Sequence, residues 1–291
     1  MKKFLSIASA FVAALCLTAC GSKTQSAETT ADSTATKYLV LYYSQTGATK
    51  TVAEALQKAL DADIAAIELE TPYDSSYDKT IERVRLERAD SITPAIKPLT
   101  VNLDDYDVIF LGYPIWFGTY ALPIATLLKD NNLDGRTIVP FCTFGSGGQF
   151  SALADLKVAL PNAKISEGYG VRNARLSAMP KELDRFLKEN GYVEGEVEAL
   201  PDFSSAQPVT EADIAIFNAA CSSYRFPLGT PTTVASRTTA DGTDYEFNVK
   251  SDMPDGEASM STIYVTVSNE EGATPEFTQV VRWAPLNSDA K

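Results

Sequence analysis

The pattern of hydrophobic and polar positions changes once along the chain, near residue 200. Before that point, short apolar runs alternate with longer segments whose apolar residues recur every three to four positions. The runs predict strands at Tyr38–Tyr43, Ile64–Leu69, Asp107–Gly112, Thr137–Phe141 and Ala163–Ser166. Helices are predicted at about residues 48–60, 77–89, 122–130, 149–160 and 176–190. Such alternation is typical of an α/β fold, a parallel sheet with helices on both faces.

The pattern after residue 200 is different. An acidic, irregular linker covers Glu194–Pro208, and Thr210 with Asp213 then predicts a capped helix. Beyond it the period becomes two, which predicts antiparallel strands. The apolar positions of the helix are Ile214, Phe217, Cys221 and Tyr224. Alternating stretches occur at Tyr245–Val249 and Ile263–Val267, with turns at Asp241-Gly242 and Pro254–Gly256. The last predicted strand is Phe277–Trp283. We therefore predict two folded parts, residues 37–195 and a small α+β domain at 209–291.

The first residues have the pattern of an export signal. Lys2 and Lys3 precede an apolar stretch, Phe4–Leu17, that is too short to span a bilayer and is followed by L-T-A-C ending at Cys20. Small residues before a cysteine resemble a bacterial lipobox, which implies a signal peptide at 1–19 and lipidation of Cys20. A plain secretory signal is the alternative. Residues 20–36 lack large apolar side chains and are predicted to be a flexible tether.

The overall charge excludes some partners. The chain has 25 Lys and Arg against 38 Asp and Glu, and loss of residues 1–19 removes two lysines and no acids, which leaves a net charge of −15. Nucleic acids require clustered cations, so we expect no nucleic-acid partner. Anionic lipid is disfavoured for the same reason, and the predicted membrane contact is the lipid anchor alone.

The loop after the first strand suits a phosphate. Ser44, Thr46 and Thr49 supply hydroxyl groups, Gly47 permits close approach, and a helix N-terminus follows. Neither the dinucleotide fingerprint nor the P-loop motif is present at this position. A threonine-capped helix without a ligand is the alternative interpretation of this motif alone.

Two further loops leave the carboxyl ends of predicted strands, where open α/β sheets bind ligands. The loop Tyr113–Gly118 is aromatic and offers a flat surface to a flat ring. The loop Cys142–Gly148 is rich in glycine. A hydrophobic cap over the sheet is the alternative role of the aromatic loop.

Three stretches together resemble the flavodoxin family: S-Q-T-G-A-T, D-Y-D-V-I-F-L-G-Y-P-I-W-F-G and G-R-T-I-V-P-F-C-T. The resemblance covers Lys37 to about Glu194. It implies a flavodoxin-like, doubly wound sheet of five parallel strands in the order 2-1-3-4-5, with non-covalently bound FMN. The one-helix, antiparallel-strand pattern of the C-terminal part, with A-D-G-T-D-Y, is similar to a cystatin-like fold.

The resemblance also implies which residues hold FMN. The first loop would hold the phosphate, the second would flank the isoalloxazine ring, and the third would close its other side. These residues are Ser44, Gln45, Thr46, Gly47, Ala48, Thr49, Pro114, Ile115, Trp116, Phe117, Gly118, Thr143, Phe144, Gly145, Ser146 and Gly147. Relatives can have a histidine in the third loop, and Phe144 stands near that place.

Residue types restrict the chemistry further. The chain has no histidine, which excludes Ser-His-Asp and Cys-His catalysis and imidazole metal sites. Cys142 lacks the arginine of a C-x-x-x-x-x-R phosphatase motif, since residue 148 is glycine. We predict that Cys142 is a packed thiol, and we assign no catalytic or metal-binding residue.

Three functions remain open for a flavin-binding chain. The first is an electron carrier that serves redox partner proteins at the extracytoplasmic face of a bacterial membrane. The second is an FMN-dependent NAD(P)H or quinone oxidoreductase, and the third is a binding lipoprotein whose scaffold has lost its cofactor. We favour the carrier, because nicotinamide cofactors are cytosolic and an acidic surface suits charge-steered docking. For the C-terminal domain we favour partner docking over a structural extension.

Overall fold

The computed structural model describes residues 36–252 and 258–282. The signal peptide, Cys20, the tether up to residue 35, the turn at Pro254–Gly256 and Trp283 lie outside these ranges, and the statements about them remain predictions. Within the described residues, no helix combines the length and apolarity needed to cross a membrane.

The first part of the chain alternates strands and helices, as the apolar periodicity predicts. Its strands are β1 (Tyr38–Tyr42), β2 (Asp63–Ala66), β3 (Val108–Trp116), β4 (Thr119–Tyr120), β5 (Thr137–Phe144), β6 (Lys164–Ile165) and β7 (Tyr169–Arg172). Its helices are α1 (Ala48–Leu60), α2 (Tyr77–Ala89), α3 (Leu122–Asp130), α4 (Gln149–Ala159) and α5 (Met179–Glu189).

The parallel sheet has the order β2-β1-β3-β5-β6. Short β4 pairs antiparallel with β3, and β7 pairs parallel with β5 beyond β6. When β4 is set aside, this is the predicted order 2-1-3-4-5, so the flavodoxin-like topology is confirmed.

Each face of the sheet has its own hydrophobic core. On one face Leu39, Leu41 and Ile109 pack with the buried sides of α3 and α4. On the other, Val40 and Phe110 pack with α1 and α5. Successive residues of a strand point to opposite faces, so strands buried on both sides are apolar at nearly every position.

Two strands are longer than the sequence pattern predicts. We expected Tyr113–Gly118 and Cys142–Gly148 to be loops, but residues up to Trp116 belong to β3 and residues up to Phe144 belong to β5. The two strands continue to pair, with Tyr113 opposite Cys142 and Pro114 opposite Thr143. Interstrand pairing outweighs the loop-forming tendency of proline in this segment.

Pro140 lies in the middle of β5. The register of β5 with β6 ends at Ile138, and its register with β7 begins at Phe141. Pro140 therefore falls in the gap between β6 and β7. Proline has no N–H group to donate to a neighbouring strand, and on the side of β6 and β7 neither strand is in register with β5 at this position.

The predicted fifth strand and last helix of this part differ in extent. The strand is interrupted, and its second piece, β7, had no periodic signal because it is only four residues long. The helix begins at Met179 rather than Leu176, after a short 3₁₀ turn at Asn173–Arg175. Pro180 follows in its first turn, where proline is tolerated.

The C-terminal part is a separate antiparallel sheet with one helix. Its elements are β8 (Gln207–Pro208), α6 (Glu211–Cys221), β9 (Thr230–Thr239), β10 (Gly242–Asp252), β11 (Ala258–Ser268) and β12 (Glu276–Arg282), in the sheet order β12-β11-β10-β9-β8. The capping box of Thr210 and Asp213 is present as predicted.

Phe217 of α6 packs on Phe247 and Phe277 of the sheet in a third core. Ile214, which we expected on the buried helix face, is 38% exposed, and Ile216 packs against the core instead. Helix and sheet agree with the α+β prediction, while the resemblance to a cystatin-like fold stays a prediction.

Candidate functional site

The first candidate loop joins β1 to α1 and is rich in donors. The Ser44 Oγ accepts hydrogen bonds from the N–H groups of Gly47 and Lys50, each at 3.2 Å. Gly47 is the N-cap residue, with φ of 95°, and it has no side chain to cap the helix. The first turn of α1 contains no acidic residue. A helix terminus without a competing carboxylate, beside hydroxyl groups, favours an anion.

The threonines of this loop have different surroundings. Thr46 is exposed, whereas Thr49 is 1% exposed and its hydroxyl lies 2.9 Å from that of Thr143. Thr49 therefore joins the first loop to β5 instead of facing solvent, and Ser44 and Thr46 are the hydroxyl-bearing residues left at the surface. No threonine caps the helix, because Gly47 occupies the N-cap position, and the binding of a ligand by this loop stays a prediction.

The second candidate loop is a tight hairpin turn between β3 and β4. Trp116 pairs with Thr119, so the turn consists of Phe117 and Gly118, with φ of 52° and 82°. Two residues with positive φ form a type I′ turn, in which asparagine followed by glycine is usual. A bulky residue in this conformation is strained, and the Phe117 ring is nonetheless 45% exposed. The turn holds an aromatic ring at the surface.

Trp116 lies behind this turn, within a group of aromatic side chains. Its ring meets those of Tyr43 and Tyr73 edge-on, at centroid distances of 5.8 and 5.2 Å. Tyr43 donates to the Gln45 side chain, and Tyr73 donates to Glu87 of α2. Burial raises the pKa of both tyrosines well above the usual value, so both stay protonated donors.

The third candidate site segment is the turn at Gly145–Gly148, which follows β5. It lies against the hairpin turn, because a Cβ placed at Gly148 would be 3.5 Å from the Gly118 Cα. Ser151, in the first turn of α4, donates to the Gly118 carbonyl oxygen at 2.6 Å. These contacts bring the second and third loops together at the carboxyl edge of the sheet.

Three residues before this turn are buried in the core. Cys142, Thr143 and Phe144 are at most 3% exposed. Burial raises the pKa of the Cys142 thiol well above its usual value, in agreement with a packed thiol. The structure places the Phe144 side chain beneath the site, so the exposed part of the third loop begins at Gly145.

A cavity of about 490 Å³ lies beside the first loop. Ser44, Gln45, Gly47 and Lys50 line one side, and the segment between Ala66 and Lys97 lines the other. The residues lining it do not include the hairpin turn or the turn at Gly145–Gly148.

Three residues of the site region were not predicted from the sequence. Ser151 holds the hairpin turn, and the guanidinium carbon of Arg88 lies 5.3 Å from the centre of the Phe117 ring. Arg172 at the end of β7 donates from Nε to the Gly145 carbonyl oxygen at 2.8 Å. Only the charge of Arg172 within an otherwise uncharged strand, Tyr169–Arg172, could have drawn attention to it.

Comparison with protein families identifies the first part of the chain. A sequence model of the family described as Flavodoxin matches residues 37–188, which is more than half of the chain. The chain belongs to the flavodoxin family, and this membership supports FMN as its cofactor. No curated protein matches the chain.

Solved structures are similar over the same part. A protein assigned as a flavoprotein from Bacteroides eggerthii DSM 20697 is 32% identical, over 52% of this chain and 99% of that one, with a TM-score of 0.44. A second from Bacteroides uniformis ATCC 8492 is 27% identical over 51% and 98%, with a TM-score of 0.46. A flavoprotein from Lactobacillus acidophilus NCFM, in complex with FMN, is 24% identical over 50% and 99%, with a TM-score of 0.42.

The residues of the site fit FMN. The hydroxyl groups of Ser44 and Thr46, with the N-terminus of α1 where Gly47 provides no side-chain cap, match the donors that a phosphate needs. The Lys50 N–H already donates to Ser44 Oγ, and no acidic residue lies between Ser44 and Thr49. The space next to Gly47 is open, since a Cβ there would meet no atom within 4 Å. Phe117 supplies an exposed aromatic surface suited to a flat ring.

The strain at Phe117 leads to a testable prediction for Phe117→Asn. Asparagine tolerates the left-handed region, so the variant avoids a strain of about 1–2 kcal/mol and loses a cation–π contact of about 0.5–1 kcal/mol. We expect the free energy of unfolding in urea to rise by up to about 1.5 kcal/mol while FMN affinity falls at least tenfold.

The matched control is Phe226→Asn. Phe226 is 60% exposed and also has an arginine near its ring, but it is not among the residues with positive φ. This control should bind FMN as the wild type does and gain no stability. Unchanged FMN affinity in Phe117→Asn would show that this ring does not contact the flavin.

Proposed function

We propose that the protein is an FMN-containing electron carrier that serves redox partner proteins. The observation that carries the proposal is the exposed hairpin turn. Phe117 and Gly145 both lie at the surface, in the two loops that would flank the isoalloxazine ring. A ring held there would be close to solvent and to a docked partner, and bound FMN would supply reversible electron uptake.

The charge of the chain supports a protein partner. A chain with a net charge of −13 before any processing is steered toward surfaces of opposite charge and repelled from acidic ones. We infer that the partners present basic surfaces around their own redox groups. No nucleic acid is expected among them.

The cavity beside the first loop favours a second candidate, an FMN-dependent NAD(P)H or quinone oxidoreductase. Lys50 and Lys97 line that cavity, Lys97 in an ion pair with Glu68 at 2.8 Å, and Lys50 is placed to receive an anionic second substrate. The cavity does not adjoin the two loops that would flank the ring, which is why we place this function second. We rank a scaffold without a cofactor third, since the phosphate-binding features of the first loop are intact and argue against the loss of FMN.

Phosphate recognition is tested by comparing FMN with riboflavin, which has the same ring and no anion. Each hydrogen bond to a charged group contributes about 1.5–3 kcal/mol. FMN should therefore bind at least about a few hundredfold more tightly than riboflavin. Thr46→Val should weaken FMN by about tenfold or more and leave riboflavin nearly unchanged.

Thr232→Val is the control for this comparison. Thr232 is an exposed threonine in β9, and valine has the same shape and suits a strand. It should bind both flavins as the wild type does. Equal affinities of the wild type for FMN and riboflavin would refute the phosphate site and favour the scaffold without a cofactor.

Anaerobic titration of the FMN-loaded protein distinguishes the first two functions. With dithionite, a carrier should be reduced in two resolved one-electron steps, and NADPH should reduce it no faster than it reduces free FMN. Fast bleaching by NADPH, with a single two-electron step, would reject the carrier in favour of the oxidoreductase.

We further propose that the protein is anchored at the extracytoplasmic face of a bacterial membrane through lipid on Cys20. The thioether can form only on that sulfur, so Cys20→Ser should shift the protein from the detergent phase to the aqueous phase. Cys221→Ser, which removes a half-buried thiol of α6, is the control and should stay in the detergent phase. Equal partitioning of the wild type and Cys20→Ser would contradict the anchor.

A further inference from the structure

The C-terminal sheet contacts the turn at Gly145–Gly148 through main-chain atoms. The Val280 N–H of β12 donates to the Ser146 carbonyl oxygen at 2.8 Å, and Gly147 forms a parallel bridge with Val280. A Cβ at Gly147 would overlap the Val280 carbonyl oxygen, so only glycine permits this approach. The edge strand of one sheet is thus paired with a ligand loop of the other.

Arg172 strengthens the same contact from below. Its Nε donates to the Gly145 carbonyl oxygen at 2.8 Å, and its Nη1 donates to the Phe277 carbonyl oxygen of β12. The guanidinium carbon lies 4.1 Å from the centre of the Phe277 ring. Arg172 is 9% exposed, and among the described residues no ion pair is formed by its side chain. A buried guanidinium must use its donors, and this one joins the turn to β12.

Ion pairs lie around this centre without touching the turn. Arg175 contacts Glu276 of β12 at 3.0 Å, and Lys181 of α5 pairs with Asp241 between β9 and β10. Lys181 and Asp241 are both more than half exposed, and such surface pairs contribute little stability. The Arg175 side chain is only 11% exposed, so the buried contact consists of β12, Arg172, Arg175 and the turn, and of the two arginines only Arg172 reaches the turn.

The turn passes this restraint on to the hairpin. Gly148 lies against Gly118, and Ser151 holds the Gly118 carbonyl oxygen at 2.6 Å. A continuous set of contacts runs from β12 through the turn to Phe117. The C-terminal sheet thus touches the two loops that would flank the flavin ring, one directly and one through its neighbour.

We propose that the C-terminal sheet is a structural part of the flavin site, with Arg172 as the positioning residue that holds the turn at Gly145–Gly148 for the ring. The proposal rests on the proposed function, because it requires FMN in the site. Coupling is reciprocal: if β12 positions the turn for FMN, then bound FMN stabilises the pairing of β12 with the turn. Protection of an exposed sheet edge is a simpler role of the same contact, and it predicts no dependence on FMN.

Hydrogen exchange of the Val280 amide in the wild-type chain tests this coupling without any substitution. We expect FMN and riboflavin each to slow exchange at Val280 at least fivefold, a typical lower value for coupled sites. The Phe247 amide, in the centre of the same sheet, is the internal reference and should slow less. An exchange rate of the Val280 amide that is the same with and without bound FMN would overturn the proposal.

Two substitutions test it through affinity. In Gly147→Ala the new Cβ would collide with the Val280 carbonyl group, whereas the backbone conformation of residue 147 is outside the left-handed region and is one that alanine can adopt. Arg172→Met keeps length and removes the donors. Each should weaken FMN and riboflavin by the same factor, at least tenfold, because the ring and not the phosphate is affected. Thr46→Val should weaken FMN alone.

Lys181→Gln is the control, since it removes an ion pair to the C-terminal sheet that does not reach the turn. It should change flavin affinity less than twofold. If Gly147→Ala, Arg172→Met and Lys181→Gln all bind FMN as tightly as the wild type does, the C-terminal sheet is outside the site. This inference then fails, and the proposed function does not. If the wild type does not bind FMN, the proposed function fails and this inference fails with it. Circular dichroism identifies any variant that does not fold, and the exchange experiment then decides.

Discussion

The parallel pairing of β3 with β5 determines where the parts of the site lie. It runs from Val108 opposite Thr137 to Pro114 opposite Thr143, so both strands extend to the same level at the carboxyl edge of the sheet. The hairpin turn leaves β3 at that level, and the turn at Gly145–Gly148 leaves β5 there. The hydroxyl contact of Thr49 with Thr143 brings the first loop to the same edge. Loss of this pairing would separate the second and third loops, since each follows one of the two strands that it aligns.

The pairing also explains the strain at Phe117. Because β3 continues into a two-residue hairpin with β4, its first turn residue must adopt positive φ, where a bulky side chain is disfavoured. Stability alone would place asparagine there. The ring is held in an unfavourable conformation and left partly exposed, a combination that occurs where a ligand or partner uses the side chain. The strained position and the proposed function coincide.

Local sequence pattern was sufficient for most of the fold and for the position of the first loop between β1 and α1. The apolar runs of β1 and β3 and the periodic helices indicate buried strands and amphipathic helices directly, and α2 spans the predicted residues. The ends of β3 and β5 were missed because Pro114 and the glycines near residue 145 are loop signals, whereas cross-strand pairing is not visible locally. The contact of Thr49 with Thr143 could not be predicted, because the two residues are distant in sequence.

Arg172 shows why the remaining part could not be predicted. Its acceptors are the carbonyl groups of Gly145 and Phe277, and the second lies 105 residues away in a different sheet. Every residue has a main-chain carbonyl group, so the pattern of side chains does not show which carbonyl groups accept a hydrogen bond. Neither the loop motifs nor the resemblance to flavodoxins therefore predicts this contact. A buried guanidinium that forms no ion pair with the described residues is costly unless acceptors on both sides satisfy its donors. The turn and β12 supply those two sides, and each is therefore positioned by the other through one arginine.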